Sequence, residues 1–347
     1  MTNLPFFSVV VPTYNSLETL QQTIEGLLGQ NYPSDRYEII IIDDGSTDGT
    51  TDYLEQMGRQ GRLFFQPQTH KGPGGARNHG ARLGHGEILA FIDSDCLPAS
   101  NWLTALAKGY EAPQSPDAVG CPIEITPFDH WLYHFYLCQK KRHRNNHLPT
   151  PLFLDTANAS FRRSAFLAVG GFDERFPFAF EDIDLGYRLR LAGYCLQTTL
   201  EAVVWHYEPD SLFRMMHKSF QYGQGQEIFR RYHPEVYEGL PSWGWHLVAR
   251  DWLNNKVRQA SRAPAPIRPV LYGLAVALRR CAHFVPEIAY DYRHYLHSQF
   301  ARYNELPVNS LHRAFYGWLE WMDYLPHLVG ELVCAHKLAK KEVEAGL

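Results

Sequence analysis

Two carboxylates one residue apart, Asp93 and Asp95, follow directly on an apolar run in the segment "EILAFIDSDCLP" (87–98). Acids at i and i+2 just past a strand can converge with a divalent cation on a diphosphate. Carboxylate oxygen suits Mg²⁺ or Mn²⁺, which one or two carboxylates can hold while substrate phosphates complete the shell. The same residues can equally make a turn in which Asp caps backbone amides. A second acidic ending, Asp43-Asp44-Gly45-Ser46, follows another apolar run. A carboxylate there can accept hydrogen bonds from a base N–H or from ribose hydroxyls; Ser46 or Asp48 can instead cap the helix that follows. Tyr14, in "PTYN" (12–15), offers a ring on which a planar base can stack, or one for ordinary packing.

Three further features bear on chemistry. Gly72, Gly74 and Gly75 precede a helical segment carrying Arg77. Glycines let backbone approach a phosphate, and a helix N-terminus favours anions. The spacing is neither GxGxxG nor GxxxxGK[ST], which argues against a dinucleotide dehydrogenase and a P-loop NTPase. Glu181 and Asp182 open another helix. Adjacent helix positions face different ways, so one acid can address a reacting group while the other is structural; both would complement the helix dipole in any case. His206 ends the strand-like "VVWHY" (203–207). Alone it reads as a packed or surface histidine; beside an acidic metal site it is a third ligand candidate, and imidazole favours Mn²⁺.

These residues need elements that hold them. Segments 6–12, 37–43, 62–66 and 87–93 read as strands, and 18–30, 46–57 and 74–84 as helices. That alternation predicts an α/β fold with a mainly parallel sheet flanked by helices. Ligands in such sheets bind beyond the carboxyl ends of the strands, which here are the polar stretches 12–15, 43–46 and 93–95. Farther on, 101–110 and 181–194 read as helices, the latter with Leu185, Leu189 and Ala192 on one face and Gly193 as its stop. Segment 140–147 is a basic, turn-rich loop, and 199–207 a strand. Strand signals fade after about residue 233. Leu311, Phe315, Trp318, Met322 and Leu325 form a stripe suited to a buried helix face, and prolines 264, 266 and 269 mark a joint. The expected organisation is a catalytic domain over 1–232 and a mostly helical region over 233–347.

Composition narrows the class. The 347 residues are 45% hydrophobic and 20% charged, the balance of a folded globular chain. The net charge of -4 gives no global basic field for nucleic acid. It is unevenly spread: Lys and Arg number 20 against 28 Asp and Glu over residues 1–239, and 13 against 9 over 240–347, where five of the eight Trp lie. A basic, aromatic-rich C-terminal region can face an anionic membrane surface or be a solvated helical appendage. The six Cys form no CxxC pair and no zinc spacing. The start of the chain lacks a charged region followed by a long apolar one. The longest apolar run in the second half, 270–278, is nine residues, against the roughly 20 that span a bilayer. The expectation is a reduced, cytoplasmic protein that makes at most a peripheral membrane contact.

Taken in order, "VVVPTYN", "IIIDDGSTDGT", "GGARNHGAR", "GEILAFIDSD", "TANASFRRSAFLAVGGFDERF", "FEDIDLGYRLRLAGY" and "VVWHY" resemble glycosyltransferase family 2, the inverting nucleotide-sugar transferases with a GT-A, Rossmann-like fold. The resemblance covers roughly residues 6 to 232, and nothing as distinctive covers 240–347. It implies roles position by position. Tyr14 and Asp44 hold the nucleotide base, with Pro12 and Thr13 shaping that pocket. Asp93 lies near the ribose and Asp95 contacts a Mg²⁺ or Mn²⁺ ion, with His206 as a further ligand that only some members use. Arg77 belongs to the donor region. Asp182 is the catalytic base, and Asn158, Ala159 and Glu181 lie on the acceptor side. The implied partners are a nucleotide-sugar donor, UDP being the commonest nucleotide with GDP and dTDP open, and a saccharide or lipid-linked saccharide acceptor. Relatives of this kind build envelope polysaccharide, lipopolysaccharide or exopolysaccharide, and the basic loop and aromatic C-terminal region suit a lipid-phosphate acceptor at the inner face of a membrane. Two other readings are a nucleotidyltransferase on a similar fold, for which "PTYNSLETL" lacks the glycine-rich basic signature, and a non-catalytic nucleotide-sugar binder, which would have no use for Asp182.

Overall fold

The first strand, β1 (Phe7–Thr13), buries all seven of its residues, so it must be covered on both faces. Helices α1 (Leu17–Leu28), α2 (Thr50–Arg59) and α3 (Gly72–Leu83) alternate with β2 (Tyr37–Asp43), β3 (Phe64–Pro67) and β4 (Ile88–Ile92) to provide that cover. The structure is a computed structural model and describes residues 4–127, 151, 153–201 and 203–234, together with positions 132, 133, 136, 326, 329, 333 and 334. The basic loop 140–147, the apolar run 270–278, the prolines at 264, 266 and 269, and all but isolated positions of 233–347, including the helical stripe ending at 325, lie outside the described residues. Backbone contacts divide the chain into Met1–Phe229 with Leu325–Leu347, and Arg230–Tyr324; both sheets belong to the first of these units.

After β4 come β5 (Cys96–Pro98), α4 (Trp102–Tyr110), β6 (Ala118–Gly120), β7 (Ile123–Ile125), β8 (Asn158–Arg162), α5 (Arg163–Ala168), α6 (Glu181–Leu191), β9 (Leu196–Thr198), β10 (Val204–His206) and α7 (Leu212–Tyr232). Seven strands form one sheet in the order β3-β2-β1-β4-β8-β6-β9, and β5-β10-β7 form a second. In the large sheet β1 pairs in parallel with β2 and β4, and β2 with β3, while β8 runs antiparallel to β4 and β6. The result is the mainly parallel α/β sheet expected, with one reversed strand.

Residue-by-residue alternation along the strands builds the two cores. Val9, Val11, Ala90 and Ile92 face Leu20, Ile24, Leu27, Trp102 and Leu106. Val10, Leu89 and Phe91 face Ala81, Phe166, Phe172, Leu185 and Leu189 on the other side. Each such aliphatic or aromatic side chain contributes roughly 1.5–3 kcal/mol on burial. Gly80 lets α3 lie directly on β1, because a Cβ there would collide with Val10. This packing is what holds the ends of β1, β2 and β4 side by side.

Gly72, Gly74 and Gly75, expected to precede or open a helix over 74–84, lie within its first turn, since α3 begins at Gly72, and three further boundaries shift by three residues or more. The helix expected from residue 46 begins at Thr50, since Asp48 Oδ1 accepts the Thr50 N–H at 3.1 Å and its hydroxyl at 2.6 Å. The helix expected to run to 194 ends at Leu191, and Gly193, at φ 83, makes the stop predicted for it. The strand expected over 199–207 shortens to Val204–His206 because its partners, β5 and β7, offer only three residues each to pair with. Among the described residues no helix is long and apolar enough to cross a membrane.

Candidate active site

The chemistry sits where β4 stops. The Asp93 carbonyl accepts the Cys96 N–H at 3.1 Å, closing a turn that holds both acids. Ser94 between them is pinned by α1: Ser16 Oγ donates to Ser94 Oγ at 2.8 Å and Thr23 Oγ1 to its carbonyl at 3.0 Å. The side chains then part. Asp93 turns to Arg77 and Asp95 to His206.

Arg77, from α3, is 4% exposed. Its two terminal nitrogens donate at 2.6 Å, one to Asp93 Oδ1 and the other to Glu181 Oε1. Burial acts to lower its pKa, but the carboxylates of Asp93 and Glu181 outweigh burial and raise it. So Arg77, expected in the donor region, is a buried strut that meets the site through Asp93. Glu181, expected on the acceptor side, is its counter-charge and is 5% exposed.

Asp182, the next residue, faces another way, as adjacent helix positions must. Its Oδ1 accepts the Ile183 N–H at 2.8 Å. No ion pair joins it to a cation among the described residues. Its pKa is raised well above the ordinary carboxyl value, first by burial, then by the charges of Glu181 and Asp155. Asp155 is an acid the sequence reading passed over. It is exposed, yet the groups packed around it, followed by the charge of Asp93, raise its pKa. Its Oδ1 accepts the Ala157 N–H at 3.2 Å, the signature of an ordinary turn acid, so nothing in "LDTANAS" singled it out. From α7 come Lys218 and Tyr222, four apart and hence on one helix face. The Tyr222 ring is 43% exposed, yet enclosure of its hydroxyl, with Asp155, Asp182 and Glu181 adding to it, raises that group's pKa.

His206 reaches Asp95 through strand register: in the β5–β10 ladder it lies opposite Cys96. Its Nε2 is 3.5 Å from Asp95 Oδ1 and its Nδ1 is 3.4 Å from Glu208 Oε1. Burial would lower the imidazole pKa, but Asp95 and then Glu208 raise it to about 9. Donor atoms of Asp95, Cys96 and His206 all lie within 4.8 Å of one another. Burial, then Asp95 and Asp93, push the Cys96 thiol well up, which keeps it a neutral, weak donor. That leaves a carboxylate and an imidazole, a set that fits Mn²⁺ and also accepts Mg²⁺. His206 Nδ1 is buried with no hydrogen-bond partner. A cation bound at Nε2 would displace the imidazole's extra proton.

The other end of the site lies past β1 and β2. Tyr14 is 50% exposed and its ring packs on His70, centroids 4.5 Å apart at 37°. Pro12 and Thr13 are buried beside it, and Thr13 Oγ1 is hydrogen-bonded to Ser16 Oγ at 2.7 Å. Asp44 corrects the sequence reading. It is 3% exposed, and its carboxylate is spent on protein donors: Gln68 Nε2 at 2.7 Å and Lys71 N–H at 2.8 Å on Oδ1, Gly72 N–H and His70 Nδ1 at 2.9 Å each on Oδ2. It therefore organises the turn into α3, where Gly72 holds φ 82, and presents His70, which the sequence did not mark. Asn158 is a second correction. It is fully buried, accepting the Trp102 indole N–H at 2.7 Å and donating to the Pro122 carbonyl at 2.9 Å, so it braces β8 against α4 and does not line the acceptor side. Ala159 is likewise fully buried.

Comparison with known proteins points to glycosyltransferases. Residues 8–170 match the sequence profile "Glycosyl transferase family 2". The chain is 34% identical over 127 residues to the glycosyltransferase AglE of Haloferax volcanii, covering 36% of this chain and 41% of that one. It is 30% identical over 233 residues to validoxylamine A glucosyltransferase of Streptomyces hygroscopicus subsp. jinggangensis, covering 58% and 55%. The chain spans about half the length of the curated relatives it matches. In fold it resembles the mannosyltransferase PcManGT of Pyrobaculum calidifontis, solved with GDP-Man and Mn²⁺, at a TM-score of 0.59 and 19% identity over 95% of this chain and 88% of that one. The sheet is thus a GT-A-like sheet, and residues 8–170 are a glycosyl transferase family 2 segment.

Proposed function

We propose that this chain is an inverting, metal-dependent glycosyltransferase that moves a sugar from a nucleoside-diphosphate sugar to a hydroxyl acceptor. The observation that carries the proposal is the asymmetry of two neighbouring acids beside a cation-binding pair. Glu181 is paired with Arg77, which it shares with Asp93, and burial still raises its pKa; Asp182 has no ion-pair partner among the described residues, and burial with the charges of Glu181 and Asp155 raises its pKa well above the ordinary value. A carboxylate left in that state is a stronger base than an ordinary one of pKa about 3.9.

In this reading the base of the donor lies against Tyr14 and His70. Asp93, fixed by Arg77, meets the ribose. A divalent ion held by Asp95 and His206 supplies charge neutralisation for the diphosphate leaving group. Asp182 takes the proton from the acceptor hydroxyl as that oxygen attacks the anomeric carbon. The C–O bond to the new acceptor forms as the bond to the diphosphate breaks, and one displacement inverts the anomeric centre. The donor nucleotide is UDP in the first instance. The acceptor is a saccharide or lipid-linked saccharide at the inner face of a membrane, in the assembly of envelope polysaccharide, lipopolysaccharide or exopolysaccharide, with residues 233–347 serving acceptor, membrane or oligomer contacts. The fold neighbour's complex with GDP-Man and Mn²⁺ and the glucosyltransferase relative support a nucleotide-sugar donor and a divalent metal.

The test is transfer of labelled sugar from UDP-, GDP- and dTDP-sugars in Mn²⁺ to lipid-linked and free saccharide acceptors. Product should appear in the organic phase, and proton NMR should find the anomeric configuration opposite to the donor's. A product with retained configuration overturns the mechanism.

A further inference from the structure

The reaction as written leaves unused a line of charged groups on the far side of His206. Glu208 lies two residues past β10, with its side chain 20% exposed. Its Oε1 is 3.4 Å from His206 Nδ1, and its Oε2 accepts a 2.9 Å hydrogen bond from Lys218 Nζ on α7. The imidazole itself is 12% exposed and faces a carboxylate at each ring nitrogen, Asp95 at Nε2 and Glu208 at Nδ1. The two acids are not equivalent. Asp95 is 40% exposed, whereas Glu208 is tied down by an ammonium on another element.

That asymmetry decides which nitrogen is offered to a cation. An imidazole that ligates through Nε2 must keep its proton on Nδ1, and an anchored acceptor there sets both the tautomer and the ring orientation. Lys218 occupies the second oxygen of Glu208, which disfavours Glu208 as a ligand in its own right and leaves it the orienting task.

We propose that Glu208, held in place by Lys218, is a positioning residue of the divalent-cation site: it faces the otherwise unpartnered His206 Nδ1 at 3.4 Å and, by closing to accept its N–H, presents Nε2, beside Asp95, to the cation. The inference rests on the reading of Asp95 and His206 as the cation's ligands. It also gives α7 a functional connection, since a helix well past the acidic turn in sequence then influences how tightly that turn holds its ion.

The experiment is Mn²⁺ titration of the full chain in the presence of UDP, with free Mn²⁺ followed by electron paramagnetic resonance. Wild type, Glu208→Gln, His206→Ala and the double variant are compared, each checked for an unchanged melting temperature. Glu208→Gln should weaken Mn²⁺ binding by about 10–100-fold, the usual cost of losing such a partner. His206→Ala should weaken it at least as much. The double variant should bind no more weakly than His206→Ala alone, because Glu208 acts only through the imidazole. Should Glu208→Gln fail to fold, Lys218→Met takes its place and should give a smaller weakening that likewise vanishes in the His206→Ala background. Unchanged affinity in Glu208→Gln, or penalties that simply add, overturns the proposal while leaving the metal site standing. Unchanged affinity in His206→Ala overturns the metal reading itself, and this proposal with it.

Discussion

Glu181 and Asp182 are neighbours in sequence and opposites in circumstance. One is locked to a guanidinium, and the other is left to carry its charge in a confined space beside Glu181 and Asp155. The consequence for stability has a definite sign. A carboxyl whose folded pKa is raised binds its proton more tightly in the native state than in the unfolded chain. Its stabilising contribution is full below the unfolded value, about 3.9, and is lost as pH rises through the folded value. Above that value wild type holds an ionised, crowded Asp182, and Asp182→Asn removes it. The variant should therefore be more stable than wild type at pH 8, by about 0.5–2 kcal/mol on the scale of relieved functional strain, with the advantage shrinking towards pH 4. Its transfer rate should fall by about 10²–10⁴-fold, and wild-type turnover should decline on acidification at a pH above the ordinary aspartate range. Melting curves and a pH–rate profile read both; a variant that is less stable at pH 8 and equally active contradicts the assignment.

The same scale explains what sequence could not reveal. Asp93, Asp95 and Asp182 were legible because their place at strand and helix ends is written in the hydrophobic pattern. The burial of Asp44 and Asn158 was not, because it depends on the loop carrying Gln68, Lys71 and Gly72 and on the indole of Trp102, groups remote in sequence. Asp155, His70 and Glu208 gain meaning only from what folds beside them.

Among the elements, α3 does the most to align the site. It carries Arg77 to Asp93 and Glu181 and rests on β1 through Gly80, where a side chain has no room beside Val10. Gly80→Val should cost roughly 1–3 kcal/mol by overpacking. Gly58, in α2, has open space around it, and Gly58→Ala should stabilise by about 0.4–1 kcal/mol through the unfolded state. Chemical denaturation of the two variants separates a packing role from a generic intolerance of glycine replacement; equal effects would contradict it. The existence and order of α1 to α4 and β1 to β4 were readable from periodicity. The short strands β5 and β7 were not, since three residues carry too little pattern, and it is their pairing with β10, which was legible within 199–207, that brings His206 to Asp95.

For the whole molecule, the parallel sheet gathers the endings of β1, β2 and β4 at one edge, with Tyr14 past β1, His70 past β3 and the acidic turn past β4. That layout suits a nucleotide lying across a sheet, base to one side and phosphates to the other. The family match over residues 8–170 and the GT-A-like fold agree with it. The claim on which the account depends is that one site takes a nucleoside diphosphate and a divalent cation together. The measurement that tests it most directly is calorimetric titration of UDP, GDP and dTDP into the full chain, in Mn²⁺ and again in EDTA, for wild type and Asp95→Asn. One nucleotide should bind in Mn²⁺, its affinity should collapse in EDTA, and Asp95→Asn in Mn²⁺ should behave as wild type does in EDTA. Binding that is indifferent to both EDTA and Asp95→Asn would contradict it.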